Sequence, residues 1–401
     1  MYLVPIRRLV AAAACVVAVA TGAAAQDRPA EFEGYVVPGW SFTPGISLST
    51  MWDSNVALAG RRTDGRTAGD RVLLFVPFGQ VDLTSPRTEF TAGYRGYLRR
   101  YTEIGELNGY DQRAYVALRH RATPRLTWFM QNEFAEMPTT DLVELNGLPF
   151  ARVGSRSNRL GAGLEARLSK YTDLVVRYEN TWSAFDGLEG FLSGGSIHGV
   201  STSVRRRVTE RAAIGGEARV RRSDLTGAID PRVIWFQDAG ATFDYRLTEF
   251  VTIAFAGGLS HLRDSRFEET RNAPYYRVEL ERQVERASAG IAFERSFTPS
   301  FGFSGSNNNR ELRGFVRMPF SRNRFYVQGN GIWRRSNPFF ADEIRLDTFV
   351  TNVTFGYSAN RWLRTEAYHA FSRQDSVITG GEVDRHRVGA QVVISQPMRI
   401  R

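Results

Sequence analysis

Hydrophobic and polar positions alternate along most of the chain. In 172–183, Leu174, Val176, Tyr178 and Trp182 share one parity, while Arg177, Glu179 and Thr181 take the other. From 160 to 168, Leu160, Ala162, Leu164, Ala166 and Leu168 oppose Gly161, Gly163, Glu165 and Arg167. Ala212, Ile214, Gly216, Ala218 and Val220 oppose Glu217, Arg219 and Arg221, and Leu312, Val316, Met318 and Phe320 oppose Glu311, Arg313 and Arg317. Successive side chains of a strand point to opposite faces, so a period of two predicts strands with one apolar and one polar wall.

The connections alternate as well. Short turns at 84–87, 122–125, 169–172, 208–211, 247–249, 321–324 and 359–361 alternate with longer polar stretches near 53–70, 137–157, 184–196, 263–274 and 337–343. Short turns at one end and long loops at the other are the layout of an outer-membrane barrel. Strands placed between them number 18, from 42–52 through 275–283 and 287–297 to 384–394. The tight turn at Val284–Arg286 decides that number, because merging its two strands leaves 16. The predicted fold is therefore all-β, a transmembrane antiparallel up-and-down barrel of 16–18 strands. A soluble sandwich or propeller also uses alternating strands, but these run to about 11–13 residues, against a mode of roughly 5–6 in globular sheets. A tilted membrane strand needs about 9–11. Tyr97, Tyr101, Trp128, Trp182, Trp235, Trp333 and Trp362 lie toward strand ends, where amphipathic rings meet the lipid boundary or pair across strands.

The first residues read as an address. Arg7 and Arg8 precede the apolar run Leu9–Ala20, and Ala23-Ala24-Ala25 offers a cleavage site before Gln26, the order of a secretory signal. Cleavage removes the single cysteine, Cys15, and two charges, taking the formal net charge from +10 to +8. The expected organisation is a signal peptide at 1–25, a short periplasmic lead at 26–40 with Pro29 and Pro38, and a barrel over 41–401. The expected location is the outer membrane of a Gram-negative-type bacterium.

Composition then sharpens the inner wall. Of 52 Lys+Arg only Lys170 is lysine, leaving 51 arginines. Codon bias accounts for part of this choice; strand parity accounts for position. Arg95, Arg99, Arg113, Arg119, Arg167, Arg177, Arg205, Arg207, Arg219, Arg221, Arg313, Arg317 and Arg364 fall opposite the apolar stripe, together with Asp111, Glu165, Glu179, Glu217, Asp244 and Glu366. An arginine facing lipid at mid-membrane costs on the order of 2–4 kcal/mol, which drives these residues toward the lumen. They serve either as a ladder of neutralising cross-strand ion pairs or as a basic lining that draws anions into a low-dielectric channel.

Other chemistries find little footing. A pI near 10 with interleaved aromatics resembles a nucleic-acid footprint, but the export signal and the strand parity of the charges argue against it. His120, His198, His261, His369 and His386 lie in separate segments without metal-ligand spacing. Ser260-His261 would have to act as a hydrolase pair, yet adjacent strand residues diverge. Asp384-Arg385-His386 reads as a charge cluster at a strand start and Asn307-Asn308-Asn309 as a loop; no GxSxG, HExxH or P-loop pattern occurs. No catalysis, cofactor or metal is expected.

Three stretches resemble the β-barrel porin 2 family of outer-membrane proteins: TPGISLSTMWDSNV at 43–56, SFTPSFGFSG at 296–305 and RFYVQGNGIWRRSNP at 324–338. The resemblance implies an outer-membrane barrel and a loose link with exopolysaccharide or capsule production. Where many such proteins finish on an aromatic residue, this chain reads Gln396-Pro397-Met398-Arg399-Ile400-Arg401, with its last strand, Val388 to Ile394, a few residues inside. The expected function is conduction or export of polar anionic solutes, polysaccharide included; the alternative is a structural or surface-interaction barrel with a sealed lumen and working loops. A lipid-modifying enzyme is the third reading. The expected partners are outer-membrane lipid and lipopolysaccharide, the barrel-assembly machinery, and an anionic polysaccharide or small solutes.

Overall fold

The computed structural model describes residues 39–58, 68–141, 152–186, 192–226, 232–265, 268–301, 305–339, 345–376 and 381–400. The expected signal and nearly all of the lead lie outside them.

Long runs of alternating residues form eighteen antiparallel strands: β1 Gly39–Asp53, β2 Asp70–Thr84, β3 Thr88–Tyr101, β4 Gly109–Thr123, β5 Leu126–Asp141, β6 Arg152–Arg167, β7 Thr172–Asp186, β8 Gly194–Arg207, β9 Ala212–Thr226, β10 Arg232–Arg246, β11 Val251–Asp264, β12 Thr270–Val284, β13 Ala287–Pro299, β14 Ser306–Phe320, β15 Phe325–Pro338, β16 Leu346–Ser358, β17 Leu363–Ser376 and β18 Gly381–Ser395. Each strand pairs with its sequence neighbours, and β1 pairs β18 from Gly45↔Ser395 to Asp53↔Arg387, which closes the sheet. A two-residue strand, β19 Met398–Arg399, continues that seam along Ser41 and Phe42. The turn at Val284–Arg286 is real, with Glu285 in the left-handed region at φ 47°, so the strand number is 18 and not 16. β1 begins at Gly39, two residues before the expected barrel boundary.

Register fixes the two faces, since directly opposed residues share a side. The outer wall carries Leu48, Trp52, Leu73, Phe75, Leu98, Trp128, Leu164, Trp182, Val200, Ile214, Val220, Trp235, Phe243, Phe255 and Leu259. Leu259 is 68 % exposed, and so continuous an apolar belt fits lipid rather than water. Tyr97 and Tyr101 depart from the expected aromatic belt. They point inward: Tyr97 lies under the Arg113 guanidinium, and Tyr101 packs with Val56 and Val72 beneath the loops.

Strands of 13 to 16 residues exceed the membrane requirement, so their ends project beyond the bilayer. The projecting loop ends hold the three apolar clusters. One gathers Val153, Phe185, Leu192, Leu225, Ile234, Phe236, Leu262, Phe297, Phe301 and Phe339. A second joins Val56, Val72 and Tyr101, and a third Leu58 and Val383.

The largest cluster marks a departure from a simple barrel. The β12–β13 ladder stops at Tyr276↔Arg295, although β12 continues from there to Thr270 and β13 to Pro299. β13–β14 and β14–β15 stay paired to their ends, at Pro299↔Ser306 and Asn307↔Pro338. The upper part of β13–β15 thus leaves β12 as a unit and laps inside the wall of β9–β12. Phe297, on the outer parity of β13, is buried against that wall, edge-on to Phe339 with ring centroids 5.9 Å apart. The Arg271 guanidinium of β12 sits 4.3 Å from the Phe339 ring centre, and Arg221 Nη2 donates to the Phe297 carbonyl at 2.9 Å. Two expectations change here. Asn307-Asn308-Asn309 lies within β14, with Asn309 Nδ2 donating to Thr298 Oγ1 at 2.6 Å, and is not a loop. Pro274, expected before β12, lies inside it; it falls in the stretch without a β13 partner, the edge position where a missing N–H is tolerated.

Candidate functional site: the arginine-rich inner wall

Register puts Arg95, Arg113, Arg119, Arg167, Arg177, Arg205, Arg219, Arg221, Arg313, Arg317 and Arg364 on the inner face, with Glu165, Glu179 and Glu217. Most have acidic company. Arg119 forms a two-pronged pair with Glu165 at 3.0 and 2.5 Å, across the strand that separates them. Arg167 approaches Asp173 at 3.6 Å, and Arg205 meets Asp244 at 2.8 Å. Arg177 lies 3.4 Å from Glu179 and 5.3 Å from the Phe129 ring centre. Arg313 sits among Glu279, Glu294 and Glu311 at 3.7 to 3.9 Å. Glu217 accepts from the Tyr275 hydroxyl and lies 3.7 Å from Arg277, a lining arginine the sequence reading passed over. These residues lie around the wall on neighbouring strands and do not converge on one pocket.

Burial separates two kinds of pair. Arg119 and Glu165 keep side-chain exposures of 47 % and 39 % and line a niche with Glu89, Phe129, Gln131 and Arg177. By contrast, Arg221 and Asp238 pair at 2.7 Å under the lapped β13, with Ser260 Oγ donating to Asp238 at 2.5 Å. Arg221 is therefore no part of the open lining: the lap covers it. Arg364 is also buried, held with Glu366, to which the Tyr326 hydroxyl and Gln391 donate.

Several inner arginines stand apart. Among the described residues, Arg95, Arg159, Arg219 and Arg317 make no ion pair with an acidic side chain. Arg95 rests over the Phe78 ring at 5.6 Å. Glu133 is the cross-strand neighbour of Arg159 without reaching ion-pair distance.

Sequence reasoning also missed the seam. Asp53, 0 % exposed, accepts from Arg385 Nε at 2.9 and 3.0 Å, and Asn55 Nδ2 donates to the Asp384 carbonyl at 3.0 Å. The Asp-Ser-Asn turn thus latches β1 to β18 where the barrel closes. The family-like run at 43–56 carried that signal.

The five histidines all take the outer parity. His261 Nδ1 lies 2.7 Å from Asn272 Oδ1 outside, while its neighbour Ser260 points to Asp238 inside. Among the described residues no group of three or more His, Cys, Asp or Glu is placed to hold a metal ion.

No family model matches the chain, that of the β-barrel porin 2 family included, and no curated protein matches it in sequence. Among solved structures it is similar to OccAB2 of Acinetobacter baumannii, at 9 % identity and TM-score 0.47 over 90 % of this chain and 98 % of that one. OpdK of Pseudomonas aeruginosa, solved with vanillate, gives 11 % and 0.45 over 90 % and 99 %. The siderophore receptor PirA of Pseudomonas aeruginosa gives 8 % and 0.45 over 90 % and 80 %. Likeness at this level carries no argument about solutes. The chain's own pairing establishes the fold: a closed antiparallel β-barrel of 18 strands.

Proposed function

We propose that this protein is an outer-membrane channel for small polar solutes with a preference for anions. One observation carries the reading: a closed wall with an apolar outer face presents, on its inner face, Arg95, Arg159, Arg219 and Arg317, which have no acidic partner among the described residues. A barrel of this strand number encloses more space than side chains usually fill, and rings of arginine favour anions in pores. Small carboxylates and an anionic polysaccharide strand are the anions to test.

A specific observation favours a second reading, a sealed structural barrel: the β13–β15 lap occupies the loop end of the lumen with Phe297, Phe301 and Phe339. Purified protein in planar bilayers decides between them. The channel reading expects stepwise current and a reversal potential, under a salt gradient, on the anion-selective side. Combined Arg95→Gln, Arg219→Gln and Arg317→Gln should move that potential toward cations. Absence of current would sink the channel reading, and unchanged selectivity would remove the arginines from it.

A further inference from the structure

The outer wall of β13–β15 carries two cross-strand rows. The lower row is apolar: Phe293, Leu312, Trp333 and, on β16, Phe349 stand side by side. Two residues nearer the loop end, about 6.6 Å along the strand, the row reads Arg295, Arg310, Arg335 and then Asp347. Among the described residues only Arg335 of the three arginines has a carboxylate: Asp347 takes its Nε at 2.7 Å and shares its other oxygen with Arg345. Arg295 and Arg310 are directly opposed like charges without an acidic partner among the described residues, an arrangement that by itself destabilises a sheet. The Nε of Arg295 is buried with no hydrogen-bond acceptor, whereas Arg310 is exposed.

This pattern follows from the lap. Where β13 leaves β12, Arg295 stands at the last paired position, opposite Tyr276. Both arginines take the outer parity just above a shelf that is fit for acyl chains, with Arg310 exposed and Arg295 half-buried beside it.

We infer that Arg295 and Arg310 hold the phosphate of a phosphorylated acyl lipid in the outer leaflet, with its chains lying on Phe293, Leu312 and Trp333. A guanidinium presents a planar fork to phosphate oxygens, and two opposed forks share one dianionic group while losing their mutual repulsion. The arginine and aromatic rows match the headgroup and acyl levels of one lipid. The site rests on the membrane placement but not on conduction: a barrel that passes no current would still hold the lipid.

The test uses the full chain in neutral detergent, titrated with bis-phosphorylated lipid A, dephosphorylated lipid A or inorganic phosphate and read by native mass spectrometry and thermal unfolding. Wild type should retain the bis-phosphorylated lipid and gain thermal stability from it. The double variant Arg295→Gln, Arg310→Gln should bind it about tenfold more weakly, yet unfold at a higher temperature than wild type when no lipid is present, because the repulsion is gone. Arg222→Gln, on the outer wall beside Trp235, should leave lipid binding unchanged. Equal lipid binding by the double variant would overturn the proposal, as would equal binding of the dephosphorylated lipid. A lower unfolding temperature in neutral detergent would assign the arginines a bracing role instead, and retention of inorganic phosphate as strongly as lipid would make this a free-anion site. If the double variant fails to fold, Arg310→Gln alone, at the exposed position, should still weaken lipid binding.

Discussion

The wall of β5–β8 and the wall of β12–β15 start from the same alphabet and end differently. Both place arginine and acid on the inner parity and aromatics on both faces. The β6–β7 ladder runs unbroken from Gly154↔Asp186 to Arg167↔Asp173, and Arg119, Arg167 and Arg177 remain wet beside it, 44 % to 64 % exposed. Between β12 and β13 the ladder ends early, the sheet folds inward, and Arg221 falls to 12 % exposure beside Asp238 at 11 %. A lining charge in one quadrant becomes a buried structural ion in the other. The residue type does not decide which; the tertiary path of the neighbouring strands does.

The difference predicts very unequal mutational costs. Phe297→Ala, which removes a ring buried in the cluster with Phe236, Leu262 and Phe339, should cost about 3–5 kcal/mol in urea unfolding of the folded barrel. It should also raise single-channel current as the lap loosens. Phe129→Ala on the straight wall should cost clearly less, since that ring is only half-buried. If the two variants lose equal stability, the lap is not a packed element.

Arg221→Gln leaves Asp238 buried without its cation and should cost about 3 kcal/mol. Arg119→Gln breaks an exposed pair and should stay within about 1 kcal/mol. The selectivity readout should reverse the order, because Arg119 and Glu165 face the lumen and Arg221 does not. A larger selectivity change in Arg221→Gln would put that residue back in the open lining.

The smallest effect concerns the loops. Burial alone would push the Asp70 carboxyl up, but the backbone N–H groups of Ile104, Glu103 and Arg71 hold its pKa below the usual value of 3.8. A carboxylate with a depressed native pKa stabilises above the unfolded value, and that contribution is lost as pH falls through the native one. Protease nicking of the 102–108 loop, beside Asp70, should therefore be slow at pH 5 to 7 and rise only below about pH 4. Asp70→Asn should remove that acid step.

Alternation of apolar and charged residues dictated the strand number, the two walls and the ends at which short turns and long loops lie. It did so because period-two patterning is local and lipid penalises every misplaced charge. Val284–Arg286 shows how fine that reading is: a two-residue connection between two charged runs separated 18 strands from 16. Parity with Arg95 and Arg99 already put Tyr97 and Tyr101 on the inner face; the belt expectation went against it, because a tyrosine is equally at home at a lipid boundary and under an arginine. Sequence could not show that Asn307 to Asn309 is strand, since asparagine marks loops unless a partner such as Thr298 takes its amide. The buried latch of Asp53 and Arg385 joins residues at opposite ends of the chain, and the burial of Arg221 depends on where β13 parts from β12. Pairing partners far apart in sequence decide both, and strand parity, a local property, carries no record of them.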